Sequence, residues 1–173
     1  MKFSWAKFFF VSIAVFILLV FFLGLNKSNI YNTKNLVGQS ISAFSLNSIN
    51  GLDTVNEIKL KKNNFTLINF WASWCKPCRL EHKYLLALKK NNSDLKILGI
   101  NFKDKKKNAL KFLLELKNPY NFVATDKNGK ASVIFGVYGI PESILIDKNL
   151  IIIKKIVGPI TESDYSSILE LIK

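Results

Sequence analysis

The chain has 173 residues, two cysteines, one histidine and a formal net charge of +13. That length suits one domain of ordinary size plus a short extra segment, and so few thiols and imidazoles exclude a structural zinc site, which takes four such ligands. The positive charge invites a nucleic-acid reading, but without the four lysines before residue 35 there remain 21 basic and 12 acidic residues, and all the basic ones but Arg79 are lysine. The clusters at residues 59–62 and 103–107 read as solvated turns and helix starts, so no nucleic-acid partner is expected.

In chain order, Phe8 to Leu25 is an uncharged run whose only polar member is Ser12. It has the length of a short membrane span, and no small-residue cleavage site follows it. Lys2 and Lys7 precede it, which predicts a cytoplasmic N-terminus at residues 1–7 and a transmembrane signal anchor at 8–25. A cleaved signal peptide and a buried core helix are the alternatives. Residues 26–35 are polar and aperiodic, a tether. The folded domain then spans 36–173.

Ala43–Leu46 reads as a short strand before a turn at Asn50-Gly51. Thr66–Trp71 is a largely apolar strand of the doubly covered kind. From Lys76 to Lys90, Leu80, Tyr84, Leu85 and Leu88 mark a helix face. Leu95–Phe102 is a second apolar strand. Ala109, Phe112, Leu113 and Leu116 mark a second helix that ends near Asn118-Pro119. A short strand at Phe122–Ala124 and a short helix at Lys130–Phe135 follow. Ser143–Ile146 and Leu150–Val157 are strands joined by a turn at 147–149. Tyr165, Ile168, Leu169 and Ile172 form a last helix face, opened by a capping box at Thr161-x-x-Asp164. This order predicts an α/β fold with a mixed sheet.

Both cysteines lie in Trp71-Ala72-Ser73-Trp74-Cys75-Lys76-Pro77-Cys78, where strand gives way to helix. A helix N-terminus offers unpaired N–H groups and a positive dipole end, which favour a thiolate at Cys75. A second thiol one turn away suits dithiol–disulfide exchange. A structural disulfide is the weaker reading, because so short a loop stabilises little. Cys75 is the candidate nucleophile, expected to be exposed, and Cys78 the resolving thiol. Pro77 suits the first helical turn, where its missing N–H costs nothing. Lys76 lowers the Cys75 pKa by its charge. A c-type haem site is excluded, since C-x-x-C-H would need His where Arg79 stands.

The stretch Phe70–Cys78 is similar to the thioredoxin active-site motif, and Gly139-Ile140-Pro141 stands just before a strand, where that family keeps its cis-proline. Cys78-Arg79-Leu80-Glu81-His82, Gly99-Ile100-Asn101-Phe102-Lys103-Asp104, Asn118-Pro119-Tyr120 and Gly136-Val137-Tyr138-Gly139-Ile140-Pro141-Glu142 resemble the membrane-anchored DsbE/CcmG group of cytochrome c biogenesis. So does the apolar N-terminal run. The resemblance implies a thioredoxin-like fold with a central mixed sheet flanked by helices. It implies a reductive thiol:disulfide oxidoreductase whose only redox centre is the Cys75–Cys78 pair, with no soluble cofactor and no metal. Trp74, Ile140 and Pro141 would contact substrate, and Glu81 and Glu142 would supply acidic character in place of an Asp that thioredoxins bury where Asn69 stands. Implied partners are apocytochrome c or a CcmH-like thiol protein, and a DsbD/CcdA-like membrane electron donor. The implied location is the bacterial inner membrane, with the catalytic domain periplasmic. A broad-range reductase or oxidase and a binding module or metal chaperone are the rival readings.

Overall fold

The computed structural model describes residues 5–25 and 36–173. The chain divides into two units, residues 1–32 and 33–173. In the first, α1 (Trp5–Leu25) is a 21-residue helix. Its side chains are described at Trp5 and from Lys7 to Leu23, and they are exposed. Among the described residues no helix is long and apolar enough to cross a membrane. The expected tether, 26–35, and the first four residues of the expected cytoplasmic terminus lie outside the described residues.

The second unit holds β1 (Ser45–Asn47), β2 (Thr54–Asn56), α2 (Glu57–Leu60), β3 (Phe65–Trp71), α3 (Lys76–Asn91), β4 (Leu95–Phe102), α4 (Lys106–Leu116), β5 (Phe122–Asp126), α5 (Lys130–Ile134), β6 (Glu142–Asp147), β7 (Ile152–Val157) and α6 (Glu162–Leu171). A five-stranded sheet runs β5-β4-β3-β6-β7. The first three of these strands are mutually parallel; β6 is antiparallel to β3, and β7 to β6. This is the mixed sheet that the element order predicts. Strand β3 is central and reads as a continuous apolar run because both its faces are covered.

Alternation along the strands sorts side chains into two cores. Leu67 and Trp71 of β3 and Leu145 of β6 face a core with Leu85 and Leu88 of α3, Phe112 of α4 and Ile168 of α6. Ile68 and Phe70 of β3 and Ile144 and Ile146 of β6 face the other core, with Phe44, Val55, Leu60, Ala131 and Phe135.

Four sequence expectations are corrected. The early strand is Ser45–Asn47, which pairs with β2 across the Asn50-Gly51 turn. Neither β2 nor α2 is legible in the sequence, because three- and four-residue elements carry too little periodicity. Strand β5 runs on to Asp126, and β7 starts at Ile152. Leu80 is 64% exposed; the buried residues of α3 are Cys78, Glu81, His82, Leu85 and Leu88. Two polar residues therefore occupy the inner face, and an apolar one faces out. The capping box forms as the sequence predicts: Thr161 Oγ1 accepts from Asp164 N at 3.2 Å, and Asp164 Oδ2 accepts from Thr161 N at 3.1 Å.

Gly99 of β4 lets Tyr120 close over the sheet, since a Cβ at residue 99 would lie 2.7 Å from its ring. Tyr120 is buried, with its ring stacked on that of Trp71 and its hydroxyl bonded to Asn69. Gly99→Ala is expected to destabilise the oxidised domain by about 1–3 kcal/mol, the usual cost of overpacking, measured as a lowered urea midpoint with unchanged slope.

Candidate functional site

The C-terminal ends of β3 and β4 and the start of β6 meet at one edge of the sheet, as the pairings Phe70↔Glu142 and Trp71↔Asn101 require. Trp71 is anchored there, with its ring centroid 5.4 Å from that of Tyr120 and 5.0 Å from that of Phe112. The chain then turns, with Cys75 N donating to Ala72 O at 3.2 Å, and enters α3. Cys75 is the N-cap, and its sulfur accepts from Cys78 N at 3.2 Å. Pro77 lies in the first turn, where no intrahelical N–H is lost. Cys75 and Cys78 form a disulfide with Cα atoms 5.3 Å apart. Cys75 is 4% exposed and Cys78 1%. The expectation of an exposed Cys75 is thus corrected for the oxidised form. Trp71, Ala72 and partly buried Ile140 share the cluster that encloses both sulfurs.

The loop before Cys75 is held from the β4–α4 connection. Asp104 Oδ2 accepts from Ser73 N at 2.6 Å and from Asn101 Nδ2 at 3.1 Å. Its Oδ1 accepts from Ser73 Oγ at 2.9 Å and Lys105 N at 2.7 Å. Trp74 Nε1 donates to Lys103 O at 3.2 Å, while 60% of Trp74 stays exposed. An exposed indole with its N–H already satisfied is an apolar platform next to Cys75. Lys76 is exposed at the start of α3.

Glu81 lies one turn after Cys78 on the buried face of α3, where residues three apart are neighbours. Its Oε1 accepts from Asn69 Nδ2 at 2.8 Å and its Oε2 from Ile160 N at 2.8 Å. Asn69 Nδ2 also donates to Ser143 Oγ at 3.0 Å, and Asn69 Oδ1 accepts from Tyr120 Oη at 2.9 Å. The amide thus turns its NH2 end to the carboxylate and its oxygen to the Tyr120 hydroxyl. Burial pushes the Glu81 carboxyl up to about 7, against the lowering effect of Ile160 N and Asn69. A carboxyl titrating near neutrality one turn from a thiol is suited to exchange protons with it.

Glu142 is also buried, at 3% exposed, but on the opposite face of the sheet. It alternates with Ser143, so it sides with Ile144 while Ser143 sides with Asn69. Glu142 Oε1 accepts from Tyr138 N at 3.0 Å and Gly139 N at 3.1 Å, and Oε2 lies 3.1 Å from Lys155 Nζ. The structure therefore does not bring the two acids together. The Ile140–Pro141 peptide is cis, and Pro141 O accepts from Gly158 N at 3.0 Å.

His82 is buried, its Nε2 is 2.8 Å from Lys117 O, and its ring stands edge-on to Phe112. Burial lowers its pKa and favours the neutral ring. Arg79 covers the Phe112 ring at 4.7 Å and reaches Glu115 at 3.8 Å. Among the described residues no group of three or more His, Cys, Asp or Glu side chains is placed to hold a metal ion.

The Redoxin family model matches residues 36–171. A thiol:disulfide interchange protein DsbE of Pseudomonas fluorescens biotype C is 37% identical over 154 residues, covering 88% of this chain and 85% of that one. The chain belongs to the thiol:disulfide interchange family. CycY of Rhizobium leguminosarum bv. viciae, also named a thiol:disulfide interchange protein, is 52% identical over 100 residues, 58% of this chain and about half (53%) of that protein. A Chlorobium tepidum crystal structure described as DsbE superposes with a TM-score of 0.68 at 27% identity, covering 79% of this chain and 94% of that one. The fold is accordingly thioredoxin-like, and the Cys-x-x-Cys pair stands at the helix N-terminus that disulfide exchange requires.

Reasoning from sequence missed Ser73, Asn101, Asp104, Tyr120, Ser143 and Lys155. Ser73, Asn101, Asp104 and Tyr120 carried a signal, as members of stretches that resemble the family; Ser143 and Lys155 carried none.

Glu81 titrates near 4.5 in water and about 7 here. Between those values the folded protein holds a proton that the unfolded chain releases. Stability from this group is undiminished below about pH 4.5 and falls, by on the order of 3 kcal/mol in all, as pH rises to about 7. His82 acts in the opposite sense, because its lowered pKa makes the folded state release a proton. The difference between wild type and Glu81→Gln isolates the carboxylate. The variant is expected to gain stability relative to wild type as pH rises from 4.5 to 7, measured by urea unfolding of the oxidised protein. A difference that does not vary with pH contradicts the assignment.

Proposed function

We propose that the protein is a reductant in c-type cytochrome maturation, acting on the disulfide of apocytochrome c or of a CcmH-like thiol protein. The observation that carries this reading is the redox pair at the α3 N-terminus, flanked by Trp74 and the Ile140–Pro141 segment, in a chain alike to DsbE over most of its length. In the forward step the Cys75 thiolate attacks one sulfur of the substrate disulfide. A Cys75–substrate disulfide forms and the other substrate sulfur leaves as a thiolate. Cys78, losing its proton to a base such as Glu81, attacks Cys75 Sγ and expels the second substrate thiolate. Two electrons pass to the substrate, two protons follow them, and the Cys75–Cys78 disulfide remains. Trp74 and the backbone at Ile140 and Pro141 hold the substrate strand, and Lys76 favours the Cys75 thiolate by its charge.

A dithiol must then reduce Cys75–Cys78, and a DsbD/CcdA-like membrane donor fits a domain held at the bilayer. The support for such an anchor is the uncharged run at residues 8–25, 18 residues that are the length of a short membrane span. With Lys2 and Lys7 cytoplasmic, the domain lies in the periplasm, on a single-pass inner-membrane anchor.

The test is the reduction potential of the Cys75–Cys78 couple together with complementation. The potential is expected well below about −180 mV, toward the thioredoxin end of the range, and a value near about −120 mV marks an oxidase instead. Cys75→Ser is expected to abolish holocytochrome c production in a strain lacking the wild-type protein. Full complementation by that variant supports a binding module and defeats the exchange mechanism. Cys78→Ser is expected to accumulate a mixed disulfide with its substrate, seen as a reducible shift on a non-reducing gel.

A further inference from the structure

Lys155 lies on edge strand β7, yet its side chain is only 1% exposed and that of Glu142 4%. Register places Lys155 opposite Ile144, two residues along from Glu142 and on the same face of the sheet. Its neighbour Lys154 points the other way, to Ser167 and Asp164 of α6. Two adjacent lysines of one strand are thus a surface pair and a buried cation. A buried ammonium needs acceptors, and Lys155 has two: Glu142 Oε2 and Gly136 O.

Those two acceptors sit at the ends of the segment that presents the cis Ile140–Pro141 peptide. Gly136 opens it at φ +60°, a left-handed conformation that suits glycine. Glu142 closes it, and its other oxygen accepts the N–H groups of Tyr138 and Gly139. Among the described residues Glu142 Oε2 finds no other hydrogen-bond donor, and it relies on the Lys155 charge. One ammonium therefore ties the start of the loop to its end, and the carboxylate it holds ties the middle. The exposed Tyr138 ring rides on this loop, and partly buried Ile140 packs against the cluster that holds both cysteines.

We propose that Lys155 is a positioning residue for substrate recognition: its buried ion pair with Glu142 shapes the 136–141 loop into the surface against which a substrate polypeptide docks. It acts on binding of a polypeptide and not on the chemistry of the cysteines, which lie with Glu81 on the opposite face of the sheet. The inference rests on disulfide exchange and requires neither a reducing direction nor a cytochrome substrate.

The test compares two probes on the full-length chain. One is a synthetic peptide with a Cys-Ala-Ala-Cys pair; the other is hydroxyethyl disulfide, too small to need the loop. Lys155→Met is expected to raise KM for the peptide tenfold or more with kcat within twofold. Its rate with hydroxyethyl disulfide and its equilibrium constant with glutathione are expected to stay within twofold of wild type. Lys155→Arg, which keeps the charge, is expected to recover most of the peptide KM. Removing one partner of a buried pair endangers folding, so Glu142→Gln/Lys155→Met, which removes both charges, is measured alongside and is expected to fold and to retain the high KM. Equal losses on both probes, a shifted equilibrium constant, or an unchanged peptide KM in the folded double variant overturns the proposal. Exchange is followed from oxidised and from reduced peptide. A protein that only oxidises its peptide thereby defeats the reductive role, while the loop is still judged by KM.

Discussion

A carboxylate taken out of water costs several kcal/mol, on the order of the whole stability of a small domain, unless donors meet it. Glu81 and Glu142 impose that condition on opposite faces of one sheet. Glu81 is met by Asn69 and by Ile160 N, which brings β3, α3 and the β7–α6 connection to one point. Glu142 is met by two loop amides and by Lys155, which brings β6, β7 and the 136–141 loop to another. The disulfide sits at the edge where both sets of elements converge.

The two acids are solvated differently, and their chemistry diverges accordingly. Glu81 has only neutral donors, so burial dominates and its carboxyl titrates near 7. It is poised to hold or release a proton in the pH range where thiols are called on to react. Glu142 has a full cation beside it, together with two peptide N–H groups. Charge-assisted bonds of that kind set geometry. The split gives the fold a carboxyl that titrates near neutrality one turn after Cys78 and a separately braced loop around the cis peptide. Asp104 is a third brace: it takes the Ser73 amide and hydroxyl and fixes the approach to Cys75 from the β4 side.

Much of this was legible in the residues. The apolar run at 66–71, the helix signals after Cys75 and the capping box at Thr161 each reflect local physics, because strand alternation, N-cap chemistry and helix periodicity act over a few residues. The redox pair was legible for the same reason: two thiols one turn apart at a helix start are a local arrangement. The inner face of α3 was misjudged at Leu80, since periodicity favours apolar residues and the fold chose Glu81 and His82 instead. Short β2 and α2 left no pattern to read.

The sequence by itself determined the order of the longer strands and helices, the mixed α/β class and the position of the cysteine pair, because each follows from spacing within a window of a few residues. Only the tertiary structure decided that Tyr120 bonds Asn69 beside Glu81, that Asp104 grips Ser73 and that Lys155 buries its charge against Glu142. Those partners are 51, 31 and 13 residues apart along the chain. They are joined only once the strands stack side by side, and no local rule distinguishes Lys155, which turns inward, from Lys154, which does not.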